Sequence, residues 1–285
     1  MTVPFAHLTR LASLTMMVWA ALCALPAVAQ QEPEFFDRPF APGQWNLGRR
    51  LDESELRYCV DPRDPAWEVD GEIADAIAGA LLLEPVRYVV EKEFVTEDFT
   101  RLYEVMLKHC DVHMGFKLIP EGYPDWVAVT RAYYDTGYAF VAADPNLHAL
   151  ADLAPGRRIG VTIGTSAHIR LISYQSALPV ERRWGLTPYG TDSLALESLL
   201  NNSVDVALVW AADFWLRQKA DTAYANLHLI DSDPLPPTTL GVGALVLQQN
   251  TFLRSAIDQA IAALISDGTI QSIIDRHKFP ATASQ

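Results

Sequence analysis

Few side chains in this chain stand at spacings that do chemistry, and those that do read as binding groups rather than catalysts. His109, Asp111 and His113 alternate along an apolar strand. Residues two apart in a strand share a face, so these side chains stand in a row, whereas a metal needs donors that converge on a point. The row is read as structural. No G-x-S-x-G, H-E-x-x-H, P-loop or C-x-x-C motif occurs. Gly241-Val-Gly243 lacks the third glycine and the following helix of a dinucleotide fingerprint. The pattern points to no enzyme, cofactor or metal. Gly164-Thr165-Ser166 is different. Backbone N–H groups, a hydroxyl and a helix N-terminus converge at such a turn and suit an anion, although the same residues also make an ordinary N-cap.

The elements that position these groups follow from periodicity. Leu56-Arg-Tyr-Cys-Val60 reads as a strand, followed by an Asp-Pro-Arg-Asp-Pro turn. Ile73, Ala76, Ile77, Ala80 and Leu81 recur at helical spacing and predict a helix over 72–83, stopped by Pro85. Strands follow at 86–90 and 110–115, with a helix over 99–108 between them. This β-α-β-α-β order calls for a parallel sheet with right-handed crossovers. A second unit begins near Ala142, with a strand at 159–163, a helix opened by Gly164-Thr165-Ser166, a helix over 193–200 and a buried strand at 204–209. A proline-rich turn at 231–237 leads to a strand over 240–247 and a helix over 251–265. Asp267-Gly268 breaks that helix, and Thr269 is placed to cap the next.

The N-terminus sets the compartment. Arg10 precedes an apolar run from Leu11 to Val28 that ends in Ala27-Val28-Ala29, the small-residue pattern a signal peptidase cuts. Residues 1–29 read as a secretory leader, and 30–50, rich in Pro, Gly and charge, as an irregular N-terminal extension. Pro26 argues against an uncleaved anchor, and Leu22 before Cys23 argues against lipid attachment. The formal charge of −13 falls by one unit when Arg10 leaves with the leader. Such a surface disfavours nucleic acid and anionic membrane, and suits a basic partner or a cationic ligand. Roughly 255 residues then remain, comfortable for two lobes and with no further membrane span. Two cysteines remain, Cys59 and Cys110. An even number in an exported chain suggests a disulfide. Two buried free thiols are the alternative, if strand register holds the sulfurs apart.

The stretch Asp111–Val141, DVHMGFKLIPEGYPDWVAVTRAYYDTGYAFV, carries family information. A strand opens into a polar turn, a Pro-Glu-Gly-Tyr-Pro knot follows, and a second β-rich run leaves the unit. This layout resembles the cleft segment of family 3 periplasmic solute-binding proteins, the clamshell receptors that serve ABC importers. The ending around Asp267-Gly-Thr resembles theirs as well. The resemblance covers the chain beyond the extension. It implies an α/β, two-lobed periplasmic-binding-protein fold of type II, with two parallel-core sheets and a two-strand hinge. Lobe 1 would comprise 51–141 plus 237–280, and lobe 2 142–236. A ligand cleft in this architecture lies between the lobes, at the carboxyl ends of strands. Trp67, Phe116, Tyr123, Gly164, Thr165, Ser166 and Trp210 are the candidates to line it. In amino-acid-binding members an arginine forks onto the ligand carboxylate, and the residue aligned with it is Tyr123. A second-lobe aspartate takes the ammonium there, whereas Asp205-Val-Ala-Leu-Val-Trp210 places tryptophan at that position. An aromatic pair suits an uncharged, planar or cationic solute, or simply fills the cleft.

Those departures coincide with a narrower resemblance. Leu56-Arg-x-Cys-x-Asp-Pro, Cys110-Asp-Val-x-Met-Gly, Gly122-Tyr123, Thr130-Arg131-x-Tyr133-Tyr134, Gly160-Val161 with Gly164-Thr165, and Asp205-Val-Ala-Leu-Val-Trp210 look like the J-type accessory proteins of methanol oxidation. These are family 3 proteins associated with quinoprotein alcohol dehydrogenases. That group also carries the two cysteines, the tyrosine and the tryptophan. It continues its Val-Trp with Gly-Pro-x-Ala-Gly-Tyr, where this chain has Ala211-Ala-Asp-Phe-Trp-Leu216, and its first cleft loop is longer than Asp61–Asp70. The resemblance implies a non-enzymatic periplasmic accessory to a pyrroloquinoline-quinone-dependent alcohol dehydrogenase. Its partner would be that dehydrogenase or a cytochrome c, with Trp215 either a docking anchor or packed within lobe two. The alternative is an ABC-importer receptor for a small polar solute other than a standard amino acid, with a permease as partner. A third reading is a periplasmic dehydratase of cyclohexadienyl type. That chemistry needs a carboxylate-binding arginine, and Tyr123 stands in its place.

Overall fold

A computed structural model describes residues 54–91 and 99–285 of the chain, so the leader (1–29) and the extension (30–50) lie outside the described residues. The strand β1 (Glu55–Val60) shows how the sheet is built. Its Leu56, Tyr58 and Val60 enter one buried cluster and Cys59 another, as a strand covered on both faces requires. Helix α1 (Trp67–Ala80) carries the chain to β2 (Glu84–Val89), and α2 (Phe99–Lys108) precedes β3 (Val112–Lys117). Strand β1 pairs parallel with both β2 and β3. Helix α1 starts five residues before the periodicity predicts. The Asp64 side chain accepts from the Ala66 amide at 2.7 Å and its carbonyl from the Trp67 amide at 3.2 Å, a turn that winds directly into the helix.

The second half repeats the plan. Its elements are β6 (Arg158–Thr162), α3 (Ser166–Ser176), β7 (Gly185–Tyr189), α4 (Asp192–Leu200), β8 (Val206–Trp210) and α5 (Ala211–Ala220). Strand β6 pairs parallel with β7 and β8. Val206 and Leu208 of β8 face one cluster, while Ala207 and Val209 face the other. Thr165 and Thr191 cap α3 and α4, accepting from the amides of His168 and Leu194 at 3.1 and 3.2 Å.

Two long strands join the halves. β5 (Tyr134–Ala142) and β10 (Thr238–Leu247) pair antiparallel, giving one ladder ordered β2-β1-β3-β10-β5-β8-β6-β7. The expected parallel sheets are the two ends of that ladder. The short strands β4 (Val127–Val129), β9 (His228–Ile230) and β11 (Thr282–Ala283) pair beside its two long strands. A Cβ on Gly137 would run into the Thr238 carbonyl, so the two long strands approach closely only because that residue is glycine. Helix α6 (Thr251–Ser266) is followed by Gly268 at φ 81° and by α7 (Thr269–His277). Thr269, expected as a cap, is instead the first helical residue, and its amide donates to the Asp267 carboxylate at 2.9 Å.

Helix α5 leans across onto the first half. Trp215 meets the Phe279 ring edge-on at 5.2 Å and donates to the His277 carbonyl at 3.3 Å. Lys219 pairs with Glu68 at 3.2 Å. Trp215 is therefore packed, partly buried, against the other half rather than within its own. No helix of the described residues is long and apolar enough to cross a membrane.

Cys59 and Cys110 form a disulfide, with their Cα atoms 5.6 Å apart. It fastens β1 to the turn entering β3, the strand that ends at Lys117. In protein expressed without residues 1–29, thiol titration under denaturing, non-reducing conditions is expected to find no free sulfhydryl. Replacing both cysteines with alanine is expected to lower stability by about 2–4 kcal/mol in urea unfolding. Two titratable thiols, or an unchanged unfolding midpoint, would contradict this.

Candidate functional site

Strand ends from both halves meet at one place. β3 finishes at Lys117, and β8 finishes at Trp210 as α5 begins. Between them opens a cleft of about 610 Å³, whose lining includes Asp61, Arg63, Asp64, Phe116, Lys117, Tyr123 and Asp213. The Lys117 ammonium lies 3.9 Å from the centroid of the Trp210 ring and 5.8 Å from that of Tyr138. The two rings meet edge to face at 5.0 Å. Trp210 is buried and packs with the first-half core, so it reaches across from its own half.

The charges of three acids reach this ammonium without pairing with it directly. Burial lowers the pKa of Lys117, and the charges of Asp64, Asp213 and Asp192 oppose that fall. Burial pushes Asp64 up to about 6, while the Ala66 amide and Lys117 pull it back. Asp213 rises to about 7, through burial first and then through the charge of Asp192 and a hydrogen bond to it. Asp192 in turn accepts from the Thr162 hydroxyl. Behind the cleft floor Asp70 is fully enclosed, and burial drives its carboxyl well above the usual range. Asp70 accepts from the Tyr133 hydroxyl at 2.9 Å, and that hydroxyl accepts from the Gly115 amide at 2.9 Å. Gly115 has φ 88°, and a Cβ there would stand 2.9 Å from the Asp70 carboxylate. Glycine is what lets β3 pass this close to a buried acid.

The candidate residues from the sequence fall into three groups. Phe116 and Tyr123 line the cleft, packed edge to face at 5.9 Å. The Tyr123 hydroxyl donates to the Lys117 carbonyl at 2.5 Å, and burial raises its pKa to about 12. It braces the end of β3 and does not replace a carboxylate-binding arginine. Trp210 forms the seat beneath Lys117. Trp67 instead packs against the first-half core, and Gly164, Thr165 and Ser166 form the turn into α3, outside the residues lining this cleft. There Gly164 has φ 80°, and Thr165 both caps the helix and donates to the Thr162 carbonyl at 3.0 Å. His109 stacks on Tyr88 at 4.2 Å, Asp111 accepts from the Arg57 amide at 3.2 Å, and His113 is buried edge-on to Phe116. The row diverges, and among the described residues no group of three such side chains is gathered to hold a metal ion.

Sequence reading passed over Lys117, Asp64, Asp192 and Asp213. The available signal was a lysine closing the otherwise apolar Met-Gly-Phe-Lys strand end. Asp192 and Asp213 fall in the first turns of helices, where an acid has an ordinary reason to be. Only the fold shows that they converge. Asp61 is balanced by Arg63, with which it pairs. That leaves Lys117 with Asp64 and Asp213 in the lining and Asp192 behind Asp213, a set that attracts cations and repels a free carboxylate once pH exceeds about 7.

No protein-family model matches the chain, and no curated protein matches its sequence. In structure it resembles the second substrate-binding domain of a putative amino acid ABC transporter from Streptococcus pneumoniae, at 17% identity and a TM-score of 0.60. That match covers 78% of this chain and 99% of the other. It also resembles the VFT2 domain of Bordetella pertussis BvgS, at 17% identity and a TM-score of 0.55, over 82% and 95% of the two chains. A third is an arginine transport-system periplasmic binding protein from Legionella pneumophila, at 17% identity and a TM-score of 0.52, over 79% and 100%. The fold is therefore α/β, two-lobed and of the type II periplasmic-binding-protein kind.

The raised Asp213 has a consequence for stability. Its folded pKa of about 7 exceeds the unfolded value, so the fold favours its neutral form. The stability it contributes is complete below about pH 4 and is lost as pH rises through about 7. His113, held near 4 by burial, acts in the opposite sense below about pH 6.5. The clean observable is therefore a difference. Relative to wild type, Asp213→Asn is expected to gain about 2 kcal/mol between pH 5 and pH 8, after allowing for partial exposure. A difference in unfolding free energy that stays constant over this range would show that the carboxyl is not raised.

Proposed function

We propose that this chain is a non-enzymatic solute-binding receptor of the ABC-import type, with a small cationic solute as its ligand. The observation that carries the reading is the Lys117 ammonium seated on Trp210 among Asp64, Asp192 and Asp213. A site that holds a lysine head group in this way has the chemistry to hold an exogenous amine. A zwitterionic amino acid fares worse, because its carboxylate would enter beside three acids and finds the Tyr123 hydroxyl already donating to backbone. In this reading 51–141 with 237–280 and 142–236 are the two jaws, the leader takes the protein to the periplasm, and the partner is a membrane permease. Support comes from the structural relatives, two of which are named as binding parts of transport systems, one of them for arginine, a cationic solute.

The accessory role beside a quinoprotein dehydrogenase or cytochrome c is the second reading. It rests on the sequence resemblance of the motif set around Cys59, Cys110, Tyr123 and Trp210 alone, and the structural relatives lend it nothing. The dehydratase reading gains nothing from the cleft, since Arg63 is engaged by the Asp61 carboxylate.

Calorimetric titration at pH 8 tests the receptor reading. Small alkylammonium, diamine and guanidinium compounds are expected to include binders, while common neutral and acidic α-amino acids bind no better than millimolar. Micromolar affinity requires about 8 kcal/mol, hard to reach with a carboxylate left unpaired in a closing cleft. A micromolar neutral or acidic amino acid, with no cation bound, would replace this reading with a zwitterion receptor.

A further inference from the structure

Lys117 sits as a guest would. Trp210 and Tyr138 present two rings inclined at 68°. An ammonium 3.9 Å from one centroid and 5.8 Å from the other is the arrangement by which aromatic pockets recognise amines. The host groups come from elsewhere in the fold. Trp210 ends β8, Tyr138 lies in β5, and Asp192 and Asp213 belong to α4 and α5, whereas Lys117 reaches in from the end of β3. Its head group rides on a flexible four-carbon stem, which can swing into the cleft without moving the backbone. The backbone beneath is fixed, because the Lys117 carbonyl is held by Tyr123.

We propose that Lys117 is an internal ligand: in the solute-free protein its ammonium fills the seat that the cationic group of a solute takes, and the solute binds by displacing it. The proposal rests on the reading of the cleft as a cation receptor and adds a competitor to it. The solute class is then a primary or quaternary amine small enough to lie on one indole face. Wild-type affinity is reduced by the fraction of molecules in which the lysine is seated. Lys117 also links the halves through the seat, and a bound amine would take over that link.

Truncation tests the displacement. Lys117→Ala removes three methylenes and the ammonium, which n-propylammonium restores group for group. The variant, checked for fold by circular dichroism, is titrated calorimetrically with n-propylammonium and with propanol, beside wild type. It is expected to bind the amine at least tenfold more tightly than wild type and to bind propanol not at all. Lys117→Met, which removes the charge but still fills the seat, is expected to gain less than Lys117→Ala. Equal amine affinity in wild type and Lys117→Ala, or an equal gain in the two variants, would overturn displacement while leaving the cation reading intact. Propanol binding as tightly as the amine, or no amine binding to either protein, would overturn both. A second measurement needs no truncated protein. In wild type labelled with carbon-13 lysine, the Lys117 ε-methylene should resonate upfield over the indole face and return toward its ordinary position as tetramethylammonium saturates. A ring-shifted lysine that does not move at saturation would refute the proposal.

Discussion

An ammonium placed between two halves of a sheet protein governs this cleft. Asp64 after β1, Asp192 after β7 and Asp213 after β8 would, when ionised together, repel one another and be costly to bury without a cation nearby. Lys117 supplies that cation, and the indole of Trp210 supplies a face that steadies it without adding charge. The dependence runs both ways. Burial weakens the lysine's hold on its proton, and Asp64, Asp213 and Asp192 offset that loss only in part.

The rest of the structure keeps this balance in place. Gly115 lets β3 run close over the buried Asp70, whose contact with the Tyr133 hydroxyl ties α1 to the segment entering β5. Tyr123 closes the end of β3 through the Lys117 carbonyl. On the opposite side α5 is held to the first half by Trp215 on Phe279 and by Lys219 with Glu68. The exposed ion pair adds little by itself. The partly buried Trp215 indole packs α5, the helix that also carries Asp213, against the first half.

The fold was legible because its signals are local. Apolar runs such as Val206–Val209, buried on both faces, and turns such as Gly164-Thr165 identify their elements without tertiary knowledge. Helix α5 was missed, since Ala211-Ala-Asp-Phe-Trp-Leu216 shows neither a capping side chain nor a clear apolar stripe. Missing it concealed Asp213. The resemblance draws attention to Tyr123 and Trp210, but where the cleft's charges sit is not legible in the sequence. Lys117 lies six residues before Tyr123, and Asp213 three after Trp210. Their convergence depends on two strand ends meeting across β5 and β10, a long-range fact that no local pattern encodes. His109, Asp111 and His113 do not share a strand face as their alternation suggests, because β3 begins at Val112 and the first two lie before it.

The central claim is that the Lys117–Trp210 contact is an attraction between charge and ring that spans the halves, not an accident of packing. A double-mutant cycle on unfolding free energy measures it most directly, using Lys117→Met, Trp210→Leu and the pair together at pH 8. The account predicts a coupling of about 1 kcal/mol, because the ammonium is partly buried over the indole. Strictly additive effects, with coupling indistinguishable from zero, would contradict it.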